Sequence, residues 1–193
     1  GSELTLHASL HPADGSERQM LFQALDQINR DDLLLLDRGY PGATMAAILD
    51  QRKIFFCMRV DRRKNWGCVR KLLRSNLDEC IVELPPPSAE DTQTYEIQRI
   101  PTRVRLIRNV TPTGSIGVLM TNLIDAECYP AHAFGALYHQ RWRIERDYQD
   151  LKQDFGLGHY EGRGWRGFHH HASLSIAAYG FLMTERLIAD KPV

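Results

Sequence analysis

The sequence predicts an α/β protein, and three features of the chain support this class. Two short apolar runs, 33–36 and 54–60, have the length and composition of buried strands, the first in a parallel sheet. The residues between these runs, 41–52, predict a short helix. A long helix is predicted from about Pro130 to Phe155. Strands and helices therefore both contribute to the predicted core.

The first part of the chain predicts a strand, a helix and a second strand. Loose alternation of Leu4 and Leu6 with polar residues favours a short strand near the start. Apolar residues at helical spacing predict a helix over 16–29, with Ser16 as its N-cap. The leucine run 33–36 then ends in a turn sequence that begins with Asp37. This places Asp37 where open α/β sheets bind ligands, although a solvated turn residue is the simpler interpretation.

The middle of the chain predicts mostly strands. After a short helix at VRKLLRS, strand-like segments occur at CIVEL, YEIQRI, TRVRLIR and SIGVLMTNL. They are separated by the turn-forming stretches PPPSAED and TPTG. We therefore predict three parts: a first part over 3–60, a β-rich insertion over 61–125, and a helical part over 126–193. The helical part closes with an amphipathic helix, whose predicted core residues are Leu174, Ala177, Ala178, Phe181, Leu182 and Leu187.

The predicted long helix has two contrasting stripes. Pro130 suits its first turn, and Gly156 suits the left-handed residue that ends a helix. With 100° per residue, an apolar stripe about 60° wide predicts the core-facing side: Leu137, Ile144, Tyr148, Leu151 and Phe155. An adjacent stripe of about the same width is polar: Tyr138, Arg141, Glu145 and Lys152. Spacing alone favours a solvated face with an Arg141–Glu145 ion pair, worth a few tenths of a kcal/mol.

The polar stripe forms the pattern Y-x2-R-x3-E-x6-K, which resembles the signature of the YREK group of bacterial insertion-sequence transposases, enzymes with a DDE active site. The segment LLLLDRGYPG resembles the region of the second catalytic aspartate in that group, with Asp37 followed by Gly39 and Tyr40. The resemblance implies an RNase H-like (DDE transposase/integrase) core, with the β-rich insertion between Asp37 and Glu145. The connector around GRGWRG is more similar to a related branch, which leaves the subgroup open.

The reaction implied by this resemblance is DNA transposition, in which strands are cut and transferred at insertion-sequence ends by metal-dependent phosphoryl transfer. Asp37 and Glu145 are the implied ligands of two divalent ions, Mg²⁺ or Mn²⁺, which prefer carboxylate oxygens. Double-stranded DNA is the implied partner, with a homodimer in the synaptic complex. The implied phosphate contacts come from Tyr138, Arg141 and Lys152, and Trp142 either stacks on an unpaired base or packs.

The resemblance leaves the first aspartate of the DDE site unassigned. Asp14 lies only 23 residues before Asp37, which is too few for the strands that the fold places between the two acids. We therefore expect the first acid before residue 1, and a chain that is a C-terminal fragment without its N-terminal strands. Such a fragment should cut DNA slowly or not at all. An inactive fragment that binds DNA or a partner copy, an unrelated RNase H-like nuclease, and a glycosidase using two carboxylates are the alternatives.

Composition excludes several other classes. The 193 residues, 43% hydrophobic and 25% charged, predict a soluble globular protein, with no apolar run long enough to span a bilayer. The four cysteines are scattered, so we expect reduced thiols in a cytosolic protein. The resemblance to bacterial transposases implies the bacterial cytoplasm, with use at the nucleoid. The net charge is zero, but nine Lys or Arg and one acid lie within 52–74, a block suited to phosphates or to a solvated face. The adjacent histidines 169–171 cannot all face one ion on a helix.

Overall fold

A computed structural model describes residues 7–12, 14–61, 66–111 and 114–189. These residues form two compact units, which we treat separately. The sheet unit comprises 16–140, and the helical unit comprises the described parts of 1–15 and 141–193. Leu4 and Leu6 of the predicted first strand lie outside the described residues, and residues 7–10 are not in a strand.

The sheet unit contains one mixed, five-stranded sheet among its described residues. The strands lie in the order β1-β2-β5-β4-β3. The first two are parallel, as predicted for β1, and the other neighbours are antiparallel. The strands are β1 (Leu33–Leu36), β2 (Phe55–Val60), β3 (Glu79–Leu84), β4 (Thr102–Val110) and β5 (Ile116–Thr121). Three of the strand segments predicted within 61–125, at CIVEL, TRVRLIR and SIGVLMTNL, thus extend the sheet from β2.

Helices of the sheet unit follow the predicted order with one exception. They are α1 (Glu17–Ala24), α2 (Ala43–Gln51), α3 (Gly67–Arg74), α4 (Ala89–Thr94) and α5 (Ala133–His139). The strand predicted at YEIQRI, residues 95–100, is wrong, because the chain forms a turn at 95–96 and no regular element over 97–100. Helix α4, which the sequence did not predict, ends just before this segment at Thr94. The Ser88 side chain accepts a hydrogen bond from the Asp91 backbone N–H at 3.0 Å, which caps α4 and favours the helix.

The two faces of the sheet bury different sets of side chains. One face, with Phe56, Met58 and Val60 of β2, packs in the same core as the buried residues of α2 and α3. The opposite face carries Cys57, Ile107 and Leu119, which pack against Phe134 and Tyr138 of α5. We call this second surface the α5 face. The alternation of β1 follows the same rule, since Leu33 and Leu35 belong to the α5 face and Leu34 and Leu36 to the other.

The single helix predicted over 130–155 is divided in the structure. Its first part is α5, and its second part is α6 (Trp142–Gln153). At the division the Gln140 N–H bonds the Leu137 carbonyl, three residues back, which tightens the backbone there. Gly156 adopts the predicted left-handed conformation, with φ 66°.

The helical unit pairs α6 with α7 (Trp165–Ala189). The Ser175 hydroxyl donates to the Phe155 carbonyl at 2.9 Å, and the Phe155 and Tyr179 rings meet edge to face at 5.5 Å. Of the predicted apolar stripe on α6, Leu151 is buried, whereas Ile144 and Tyr148 are exposed. The core predicted on α7 is wrong in the same way: its large side chains Leu174, Phe181, Leu182 and Leu187 are exposed, and Ala172, Ser175 and Tyr179 are buried. A contact between two helices buries one line of residues on each helix, so the other residues of a broad apolar stripe stay exposed.

None of the helices in the described ranges has the length and apolar character needed to cross a bilayer.

Candidate active site

Asp37 directly follows the last residue of β1, as the sequence predicts. Its side chain is partly buried, and its Oδ1 accepts a hydrogen bond from the Arg38 backbone N–H at 2.5 Å. The Asp37 carbonyl accepts from the Tyr40 N–H at 3.1 Å, which closes a turn. The strand therefore delivers a carboxylate to the carboxyl end of a parallel pair, where ligands bind in open α/β sheets.

Arg18 of α1 fixes the loop that follows Asp37. Its guanidinium donates from Nε to the Gly39 carbonyl at 2.8 Å and from Nη2 to the Pro41 carbonyl at 3.0 Å. Glu17 lies beside the same loop, and burial together with the carboxylates of Glu17 and Asp37 raises the pKa of Tyr40. The sequence pattern gave no signal for Arg18, because its partners are backbone carbonyls more than twenty residues away.

Tyr138 lies next to Asp37 within the sheet unit. Its side chain is 7% exposed on the α5 face, and its hydroxyl donates to the carbonyl of Leu36 at 3.2 Å. Leu36 is the residue immediately before Asp37. The phenol predicted on an exposed polar stripe is therefore mostly buried and bonded to the end of the strand that carries the acid.

The helical unit brings Arg141, Trp142 and Glu145 together on α6 and at its start. Arg141 Nη2 donates to Glu145 Oε1 at 2.8 Å, so the ion pair expected from the i,i+4 spacing is present. The Arg141 guanidinium carbon also lies 5.1 Å from the centre of the Trp142 ring. The Arg141 side chain is 13% exposed and that of Glu145 is 45% exposed. The arginine therefore orients a carboxylate that solvent and ions can reach.

Lys152 lies about two turns beyond Glu145 on α6, over an aromatic ring. Its Nζ is 4.3 Å from the centre of the Tyr148 ring, within the range of a cation–π contact. Both residues line a largely apolar cavity of about 420 Å³, with Leu157, Tyr160 and Phe168 on its other walls. The ammonium thus stands at the edge of a surface that is open to solvent.

The two predicted metal ligands lie in different units: Asp37 belongs to the sheet unit and Glu145 to the helical unit. Carboxylate oxygens are the donors that Mg²⁺ and Mn²⁺ prefer, so the chemistry of Asp37 and Glu145 suits these ions. Within the described ranges, no three His, Cys, Asp or Glu side chains cluster as metal ligands would. His171 bonds the Gly156 carbonyl at 2.7 Å, and the His169 ring lies 4.7 Å from that of Trp165. The roles assigned to the six site residues remain predictions.

A mixed α/β sheet with an acid after its parallel pair, and a helix with the Arg–Glu–Lys pattern, are the features expected of a DDE transposase. Residues 1–181 match the family described as the transposase DDE domain, and the chain belongs to this family. The chain is also similar to transposase InsG for insertion sequence element IS4 of Escherichia coli (strain K12), with 27% identity over 157 residues. That match covers 78% of this chain and 34% of the relative, so the chain spans about a third of the relative's length.

Proposed function

We propose that this chain carries the second and third catalytic acids of an insertion-sequence transposase of the YREK group, with an RNase H-like core. Membership of the transposase DDE domain family supports a role in DNA transposition. The observation that carries the proposal further is the position of Asp37, a partly buried acid at the carboxyl end of β1 in a loop held by Arg18. The α6 residues supply the remainder of the motif.

In this proposal Asp37 and Glu145 hold divalent ions, Mg²⁺ or Mn²⁺. When bound, two such ions activate an attacking water or 3′-hydroxyl and stabilise the leaving oxygen. The protein positions its two carboxylates by local contacts. Asp37 is held by the Arg38 N–H, and Glu145 is held by the Arg141 guanidinium. Either contact leaves the second carboxylate oxygen available for an ion.

The DNA contacts in this proposal come from cationic and aromatic side chains. Arg141 holds a phosphate with the planar guanidinium that also orients Glu145, and Lys152 adds a point charge. Tyr138 contributes its phenol beside Asp37, and Trp142, 50% exposed, offers a face for stacking on a base. Two copies of the protein would hold insertion-sequence ends and target DNA in a synaptic complex.

This proposal assigns the first acid of the site to no residue of this chain. Strand β1 is an outer strand of the described sheet and consists of four leucines, and its free backbone groups leave this edge open to pairing with a further strand. The chain alone would then bind DNA or a second copy but cut slowly, since a two-metal site needs all its ligands.

A Mn²⁺ titration by calorimetry tests the assignment of the two acids. We expect the chain to bind Mn²⁺. Removing a residue that only hydrogen-bonds a metal ligand typically weakens metal binding roughly 10–100-fold, so Asp37→Asn and Glu145→Gln, which remove ligands, should each weaken it by more. Asp31→Asn is the matched control, because Asp31 is an exposed acid at the opposite end of β1. Circular dichroism confirms that each variant folds. Binding that survives both substitutions would exclude these carboxylates as ligands.

A further inference from the structure

The strand register places an arginine beside Asp37. Strands β1 and β2 are parallel, and their last pair joins Leu36 to Met58. The next residues along the two strands are Asp37 and Arg59. Neighbouring strands lie about 4.8 Å apart, so continuing the register by one residue sets Asp37 beside Arg59 at the carboxyl ends of the parallel pair.

Arg59 and Asp37 also belong to the same face of the sheet. Cys57 of β2 and Leu35 of β1 both lie on the α5 face. Side chains two residues further along a strand point to the same side, which assigns Arg59 to this face, and the same alternation continued one residue beyond β1 assigns Asp37 to it. Tyr138, whose hydroxyl bonds the Leu36 carbonyl, covers the same end of β1.

The Arg59 side chain is exposed on the sheet surface, unlike the other side chains of β2. Its Nε lies 4.0 Å from the position that a Cβ would occupy at Gly117, so the side chain extends over the neighbouring strand β5. In the part of the chain that the structure describes, Arg59 takes part in none of the ion pairs.

Several other arginines of the sheet unit are held by structural partners. Arg105 pairs with Glu79, and Arg108 donates to the carbonyls of Leu72 and Ser75. Arg18 holds the loop after Asp37. An exposed arginine within a central strand, next to an acid and without such partners, offers its donors to a ligand. A guanidinium binds phosphate oxygens in a bidentate manner.

We propose that Arg59 is a phosphate-binding residue of the active site and holds a DNA backbone phosphate next to the ion bound by Asp37. This inference rests on the proposed function and adds a residue outside the Y-x2-R-x3-E-x6-K pattern. The sheet therefore binds the phosphate through Arg59 and the ion through Asp37.

The test measures binding of a fluorescein-labelled, 20-base-pair duplex to the whole chain by anisotropy, in EDTA and over about 50–200 mM salt. Losing one phosphate contact should lower the slope of log K against log salt by about 0.9 and weaken binding about eightfold at 0.1 M salt. We expect this result for Arg59→Gln, with partial recovery in Arg59→Lys, which keeps the charge but loses the bidentate geometry. Arg103→Gln is the matched control, because Arg103 is exposed near the opposite end of the sheet and is paired in register with Glu83.

The outcomes separate this inference from the proposed function. An unchanged affinity and salt slope in Arg59→Gln, or a loss equal to that of Arg103→Gln, overturns the role of Arg59 alone. A parent chain that binds no duplex overturns both proposals together. Support requires a selective loss in Arg59→Gln while its Mn²⁺ affinity and circular dichroism spectrum match those of the parent, since Arg59 binds the phosphate and not the ion.

Discussion

Replacement of Tyr138 by phenylalanine tests how the end of β1 is held. The substitution removes only the hydroxyl, which donates to the Leu36 carbonyl at 3.2 Å in a site where the side chain is 7% exposed. The ring and its packing against Cys57 and Ile107 are retained. The change therefore isolates one buried hydrogen bond beside Asp37.

The expected loss follows from the type of this bond. A neutral hydrogen bond contributes about 0.5–1.5 kcal/mol to stability, so we expect Tyr138→Phe to lower the free energy of unfolding by about 1 kcal/mol. For a chain of 193 residues this corresponds to a fall in Tm of about 2–4 °C. Tyr138→Ala also leaves a cavity and should cost about 3–5 kcal/mol.

Urea denaturation followed by circular dichroism measures both variants. Tyr129→Phe is the control, since the side chain of Tyr129 is 39% exposed and its hydroxyl can bond water in the folded and in the unfolded protein. A Tyr138→Phe variant as stable as the parent would show that the hydroxyl does not hold β1. Phosphate binding would then be the remaining role for Tyr138.

Two further predictions concern buried groups of the sheet unit. Glu79→Gln removes the counter-ion of Arg105, whose side chain is 2% exposed. Breaking a fully buried ion pair costs about 3–5 kcal/mol, but Glu79 is 33% exposed. We therefore expect urea denaturation to show a loss of about 2–3 kcal/mol in the free energy of unfolding. Glu83→Gln, on the exposed part of the same strand, should cost less than about 0.5 kcal/mol, and equal losses would refute this role of the ion pair. Burial raises the pKa of Cys57 from 9.0 to about 12, so its thiol should resist iodoacetamide at pH 8, whereas the exposed Cys128 should react. Peptide mass spectrometry measures the two rates of alkylation, and equal rates would contradict this prediction. The pKa of Cys57 is higher in the folded protein than in the unfolded chain, so folding favours the neutral thiol. The stability that depends on this neutral thiol is fully present below pH 9.0 and is lost as the pH rises towards 12.

The sequence predicted elements whose signals are local. The leucine run of β1 and the turn after it defined both the strand and the position of Asp37. The division between α5 and α6 was missed, because helical periodicity continues through Gln140 and Arg141 while the hydrogen bonding tightens. The exposed residues of α7 were assigned to the core, because an apolar stripe does not reveal how much of it a neighbour covers.

The parts of the candidate site that depend on distant contacts could not be predicted. Arg18 reaches carbonyls at positions 39 and 41, and such partners leave no spacing pattern in the sequence. The adjacency of Arg59 and Asp37 depends on strand register, and a shift of one residue would move every side chain of β1 to the other face. The motif residues of α6 were visible, since helical spacing alone places Arg141 beside Glu145.

The central claim is that Asp37 and Glu145 bind the same divalent ions. Fe²⁺ can occupy a site built from carboxylate oxygens in place of Mg²⁺, and with ascorbate and peroxide it cleaves the backbone next to its own ligands. We predict cleavage of the folded chain near both Asp37 and Glu145, mapped by mass spectrometry, and loss of both cuts in Asp37→Asn and in Glu145→Gln. If each substitution removes only the cut at its own position, or if only one of the two positions is cut, the acids do not share a site and the account is contradicted.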